Sequence, residues 1–252
     1  MRTLLDARDV LDVAARAVPG HPWPRVCLAL PFAFGGGWAT EGAVAWRGGH
    51  PWGAGAHDIH VLGAAEALAA LVGHLARPGD YLIADPHVLA DGGWSVPARR
   101  WWLREIMPGA TPHGGSRHLP HQVKWLAEHA AGEVAGLLDQ ANPGAAFRPG
   151  DPGAGRWCGV RAGGRLVAAA CETWPGAGIA QLSSLAVHPS ERRRGLGAAV
   201  TAFFVDEAFA YGAPSVILGV DHDNRSGRLL YDRLGFSAWP MASIEASGKS
   251  LR

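Results

Sequence analysis

Apolar and polar positions along this chain alternate at two periods, and their order predicts an α/β protein. The C-terminal half is the more regular. Residues 122–140 place Val123, Leu126, Val134, Leu137 and Leu138 at helical spacing, so an amphipathic helix is expected there. Apolar runs at 157–160 and 166–171 flank the tract RAGGR, in which Gly163 and Gly164 can supply the positive φ of a tight hairpin. The run QLSSLAV at 181–187 predicts a third strand, ended by His188 and Pro189. A long helix follows over 195–211 and stops at Gly212. Residues 215–220 (SVILGV) form a buried strand, 225–234 a short helix closed by Gly235, and 236–244 the last strands.

The N-terminal half carries weaker signals. RVCLAL at 25–30 and residues 42–46 read as strands, Leu62, Ala65, Leu68, Leu71 and Leu75 recur at helical spacing, and 81–84 reads as a short strand. The tracts FGGGW at 34–38 and GGHPWGAG at 48–55 read as loops. Residues 108–120 (PGATPHGGSRHLP) show no apolar period and are the best linker candidate, dividing the chain into an N-terminal α/β domain of unknown role, 1–119, and a second domain, 120–252. The halves show no convincing sequence repeat.

Composition sharpens this picture by exclusion. With 252 residues, 48% of them hydrophobic and 18% charged, the chain can bury a substantial core as one large or two modest domains. Lys and Arg number 23 against 22 Asp and Glu, and no long block of one sign occurs, which argues against a nucleic-acid partner held through its phosphates. No run approaches the ~18 apolar residues of a spanning helix, and Asp6 interrupts any secretory core, so a cytoplasmic protein without membrane contact is expected. Cys27, Cys158 and Cys171 are too scattered for a disulfide framework and are expected to be buried free thiols. His-x-x-His spacing occurs at His57 and His60 and at His118 and His121, but no HExxH frame or Cys pair accompanies it. No metal site is expected.

Chemistry concentrates at 185–198, LAVHPSERRRGLGA. A strand runs into a turn holding Arg192, Arg193, Arg194, Gly195, Leu196, Gly197 and Ala198, and a helix starts at once. Glycine lets backbone approach a ligand, and the free amides at a helix start carry the positive end of its dipole, which suits a pyrophosphate. The loop is neither GxGxxG nor GxxxxGK[ST].

This segment resembles the signature [Q/R]xxGx[G/A] of the GNAT N-acetyltransferase superfamily at Arg192, Gly195 and Gly197, within the wider form V-x-P-x-x-R-x-x-G-x-G that starts at Val187. Downstream, NRSGRLLYDRLGF, from Asn224 to Phe236, is similar to the family's N-x-x-[A/G]-x-x-L-Y-x-x-x-G-F. The resemblance covers about 120–252. It implies a GNAT-fold mixed sheet flanked by helices, preceded by a smaller α/β domain for which a degenerate GNAT-like half is one form, and an acyltransferase that moves acetyl from acetyl-CoA to a primary amine on a small molecule or peptide. It places pantetheine along Leu185, Ala186 and Val187, the pyrophosphate on amides from Arg193 to Ala198, Asn224 at the cofactor, and Tyr231 as the general acid to the thiolate. The resemblance also implies Glu or Asp on the strand two or three residues before the splay, as many relatives carry, where this chain has Ser183 and Ser184. Glu172, Asp221 and His222 are therefore the candidates for general base. The missing strand carboxylate also motivates an alternative, a non-catalytic acyl-CoA-binding or sensing protein.

Overall fold

The computed structural model describes residues 1–4, 6–29, 34–50, 53–77, 80–91, 99–110, 122–175 and 178–245. In chain order the first half forms β1 (Arg2–Leu4), α1 (Ala7–Ala17), α2 (Trp23–Ala29), β2 (Gly37–Thr40), β3 (Ala43–His50), β4 (Gly53–Gly63), α3 (Ala65–Leu75), β5 (Tyr81–Ala84), α4 (Pro86–Asp91) and β6 (Arg99–Ile106). The second half forms β7 (Val123–Trp125), α5 (Ala131–Ala141), β8 (Ala154–Ala162), β9 (Arg165–Thr173), β10 (Ala180–Val187), α6 (Leu196–Ala210), β11 (Val216–Asp221), α7 (Arg225–Arg233) and β12 (Ser237–Glu245). Apart from the extra helix α2 in the first, each half runs strand, helix, three antiparallel strands, helix, parallel strand, helix, strand. The repeat that is invisible in the residues is plain in the elements.

These elements pack as two units. The first comprises Met1–Leu103, Asp221–Asp223 and Ala238–Arg252, and the second Arg104–Val220 and Asn224–Ser237. In the first, Asp6 caps α1 by accepting from the Asp9 amide at 3.0 Å. Strands β1 to β4 pair antiparallel, β4 and β5 pair parallel, and β12 adds antiparallel to β5. Ile59 and Val61 face one way from β4 and pack with Leu71, Val72 and Leu75 of α3 and with Ile244 of β12. Their neighbours Asp58 and His60 face the other way, as the two-residue period requires. There His60 accepts from the Trp23 indole at 3.1 Å and stacks on Trp46, with centroids 5.2 Å apart.

In the second unit β7, β8, β9 and β10 pair antiparallel in sequence order, and β10 pairs parallel with β11. Val134, Leu137 and Leu138 of α5 pack on Trp157, Leu166, Ala169, Cys171 and Ala186. Burying such an aliphatic side chain contributes about 1.5–3 kcal/mol, and three from one helix hold it to the sheet. The result is the mixed sheet flanked by helices that the sequence implies.

Four segments differ from their sequence reading. The helix expected over 122–140 is instead β7, a 3₁₀ turn over Glu128–Ala130 and α5. Tertiary contacts override the helical period here, because the Trp125 indole donates to Glu207 at 2.8 Å and packs against Phe203 and Phe204. Residues 25–30 do not form a strand: Trp23, Val26 and Cys27 lie at i, i+3 and i+4 and are all buried, which is the stripe of α2. The glycine-rich tracts at 34–38 and 48–55 contribute β2, the end of β3 and the start of β4, with His50 opposite Gly53. Trp52 and residues 111–121 of the proposed linker, with His113, His118 and His121, lie outside the described residues. Cys27, Cys158 and Cys171 are buried and free, and burial pushes the Cys158 and Cys171 thiols up to about 12. Among the described residues no helix is long and apolar enough to cross a membrane, and no three metal-ligating side chains gather.

Candidate functional site

The site grows from a defect in one strand. Strand β10 faces β9 in register up to Ser183, opposite Cys171, and resumes at Ala186, opposite Ala169. Two residues, Ser184 and Leu185, thus stand against Ala170 alone, and Ser184 takes a left-handed φ of 54° to make the bulge. On its other side β10 pairs with β11 at Ala180 and Gln181, ahead of the bulge. The bulge lifts Ser184 and Leu185 out of the β9 register, which Ala186 and Val187 then resume opposite Ala169 and Ala168.

Side chains on both flanks fix this bend. The Ser184 hydroxyl donates to the Phe147 carbonyl at 2.8 Å and accepts from the Phe147 amide at 3.0 Å. The Asn142 side-chain amide donates to the Leu185 carbonyl at 3.3 Å. Beyond Val187, Arg192 folds back, donating through Nε to the Val187 carbonyl at 3.2 Å and through Nη2 to the Ala141 carbonyl at 3.1 Å. The loop between these anchors holds two left-handed residues, Arg193 at φ 64° and Gly195 at φ 81°. A non-glycine residue in that region costs about 1–3 kcal/mol, so the anchoring bonds of Arg192 hold the loop under strain.

Gly195 is the N-cap of α6 and provides no side-chain cap, and the first turn carries no acid. The leading amides of this 15-residue helix therefore have no side-chain acceptor from the cap, and the dipole favours an anion beside them. They open on a cleft of about 890 Å³ lined by Leu185, Val187, Arg192, Arg193, Gly195, Leu196, Gly197, Ala198 and Asn224, with Asn142, Leu230 and Arg233. Three of the lining residues are arginines, and among the described residues none is Asp, Glu or His. The cleft is cationic and of a size that suits a large ligand.

Of the remaining residues singled out in the sequence, Ala186, Arg194 and Tyr231 are not part of the cleft lining, and Asn224 is. Ala186 points into the core with α5, as the residue between Leu185 and Val187 must. Arg194 pairs with Glu191. Asn224 caps α7, accepting from the Gly227 amide at 2.9 Å, and also lines the cleft. Tyr231 is buried against Phe236, ring centroids 5.6 Å apart, while its neighbour Leu230 reaches the cleft lining. Burial pushes its phenol well above the usual range, and the Arg104 guanidinium partly opposes that.

The three base candidates are not gathered at the cleft. Glu172 accepts from Arg156 at 2.8 and 3.3 Å and lines a separate cavity of about 430 Å³ with Tyr211 and Pro214. Arg156 stacks 4.0 Å over the Trp125 ring. Asp221 and His222 belong to the first unit, where Asp221 lies 3.6 Å from Arg99 and His222 stacks on Trp102. Nothing in the sequence singles out Asn142 or Arg233. Asn142 follows α5 and precedes Pro143, a pattern that reads only as a helix end.

Comparison with known proteins bears on this geometry. The acetyltransferase (GNAT) family matches residues 118–236. A Drosophila protein of known structure is 13% identical over 96% of each chain, with a TM-score of 0.57. A GCN5-related N-acetyltransferase-like protein from Streptococcus suis is 12% identical over 96% of this chain and 100% of its own, with a TM-score of 0.51. A GCN5-related N-acetyltransferase from Sphaerobacter thermophilus is 15% identical over 81% of this chain and 76% of its own, with a TM-score of 0.52. At such identities the likeness is one of fold, and in the first two it extends through the N-terminal half. No curated protein matches the sequence. The bulged strand, the uncapped helix and the arginine-lined cleft all fall within residues 118–236, the segment that matches the acetyltransferase (GNAT) family.

Proposed function

We propose that the chain is an acetyl-CoA-dependent N-acetyltransferase that transfers acetyl directly to a primary amine of a small molecule or peptide. The observation that carries this reading is the uncapped start of α6 opening on a cleft whose ionisable lining is arginine alone among the described residues. Coenzyme A brings phosphates to such amides and a long neutral arm to the bend at Leu185 and Val187. The amide of Leu185, held in place through its own carbonyl by Asn142, stabilises the oxyanion that forms when the amine attacks the thioester carbon. Collapse of the tetrahedral adduct would break the carbon–sulfur bond, and Tyr231, buried next to Leu230 of the cleft lining, is the residue that the family resemblance assigns to protonate the sulfur. Burial keeps that phenol protonated at neutral pH.

The amine proton needs another acceptor. Glu172 is the least suited of the three candidates, because Arg156 holds both its carboxylate oxygens in a different cavity. Asp221 and His222 are the residues to replace first. The absence of a carboxylate or imidazole from the described cleft lining favours a second reading, a protein that binds acyl-CoA without turning it over. One experiment separates them. Coenzyme A affinity is measured by calorimetry, and an amine library with acetyl-CoA is then screened by mass spectrometry. Acetylated products support transfer, tight binding with no product supports sensing, and no binding overturns both.

A further inference from the structure

We propose that Arg104 is a positioning residue for Tyr231, a charge from the last strand of the N-terminal half that sets the proton donor of the C-terminal unit. The inference rests on the general-acid reading of Tyr231. Arg104 lies on β6 and begins the second unit. It is 3% exposed, and its Nη1 donates to Asp232 Oδ1 at 2.6 Å, across 128 residues of sequence. Asp232 is the next residue after Tyr231 on α7, and Tyr231 is itself only 6% exposed. One buried guanidinium thus grips the helix at the residue beside the phenol.

Keeping that charge is costly. A buried ion pair commonly adds less stability than an apolar side chain of the same volume, because both partners lose hydration. Here the carboxylate stays half in water, with its side chain 54% exposed, while the guanidinium carries the desolvation. Arg104 holds α7 through Asp232, the residue next to Tyr231, and its charge opposes the effect of burial on that phenol, so one buried group bears on both the place and the proton of Tyr231. A phenol raised by burial alone gives up its proton poorly to a departing thiolate; a neighbouring cation makes it a better donor and holds its geometry through Asp232.

The test is a double-mutant cycle in the full chain, read by single-turnover acetyl transfer to a weak acceptor. Arg104→Met should lower the transfer rate about tenfold, with coenzyme A affinity unchanged, and Arg104→Lys should recover part of the loss. In a Tyr231→Phe background, Arg104→Met should cost nothing further, because the group through which Arg104 acts is gone. An equal loss in both backgrounds would overturn the inference and leave the role of Tyr231 intact. A wild-type rate in Tyr231→Phe alone would remove the general-acid reading and this inference with it. If Arg104→Met fails to fold, the same cycle with Arg104→Lys decides, by whether its smaller loss persists without the phenol.

Discussion

Ser184 binds both backbone polar groups of Phe147, donating to its carbonyl at 2.8 Å and accepting from its amide at 3.0 Å, while its own backbone turns left-handed at φ 54°. The work of this hydroxyl is architectural. It stabilises the conformation that lifts Leu185 out of the ladder.

Replacing Ser184 with alanine should leave a buried amide and carbonyl of Phe147 without that partner and keep the strained φ. The expected loss is roughly 1–3 kcal/mol, seen as a melting midpoint lower by several degrees, together with weaker coenzyme A binding. Ser184→Gly is the informative control, since it removes the hydroxyl but relieves the backbone. It should melt above Ser184→Ala. Equal affinity for coenzyme A in wild type and Ser184→Ala would show that the bulge does not depend on this contact.

The turn before α6 makes a sharper prediction. Gly195 sits at φ 81° immediately before α6, and a β-branched residue there is strained whatever space surrounds it. Gly195→Val should either distort the turn or re-aim the first amides of the helix, and coenzyme A affinity should fall by about two orders of magnitude, roughly 2.7 kcal/mol. Calorimetry on the folded variant checks this. Because the strand, the core face of α6 and the Arg192 anchors remain, the loss of stability should be confined to the strain of that residue, about 1–3 kcal/mol, and the melting midpoint should fall by several degrees.

How much of this was legible in the sequence depends on how locally each feature is determined. The turn at 192–198 and the cap at Asn224 are made by adjacent residues, so their spacing alone announces them. The bulge is different: Ser184 and Leu185 look like ordinary strand residues, and only the mismatch with Ala170 across the ladder reveals them. Strand β7 is three residues long, too short for any period, and exists because Trp125 finds Glu207 and the Phe203 and Phe204 rings. The place of β12 is least legible of all. Its apolar residues mark a strand, but its pairing with β5 is settled by a partner far back in the chain, with Ile244 opposite Leu82. Arg104 is hidden for the same reason.

The repeated element order raises the question of whether the first unit would bind coenzyme A as proposed for the second, and the junction between β4 and α3 argues against it. Gly63, at φ 123°, closes that turn so tightly that a Cβ would lie 2.1 Å from the Gly42 carbonyl oxygen, and the Ala64 amide donates to that oxygen at 3.0 Å. Glu66 places a carboxylate in the first turn of α3, which repels a phosphate. Calorimetric titration should therefore give one coenzyme A per chain, and Gly195→Val should remove that single event. A second binding event that survives the substitution would contradict this.

Charge buried in the first unit predicts a pH dependence of stability that is separate from catalysis. Asp58 is 3% exposed, and burial, with the carboxylate of Asp80 nearby, pushes its carboxyl up to about 7. Arg47 binds Asp80 at 2.7 Å, so the available cation is committed to the other acid. A carboxyl that holds its proton more tightly when folded contributes stability that is fully present below the unfolded value of ~3.9 and is lost as pH rises through about 7. His21 acts in the opposite sense: burial lowers it to about 4, so its contribution is lost as pH falls from ~6.5 toward 4. A comparison with Asp58→Asn isolates the acid, since His21 is common to both proteins. The asparagine variant should melt well above wild type at pH 8, where Asp58 must be charged in the interior, and the gap should narrow steadily toward pH 4. A gap that stays constant over that range would mean that Asp58 does not titrate in the folded protein near neutrality, and that the carboxylate is hydrated or paired in a way that offsets its burial.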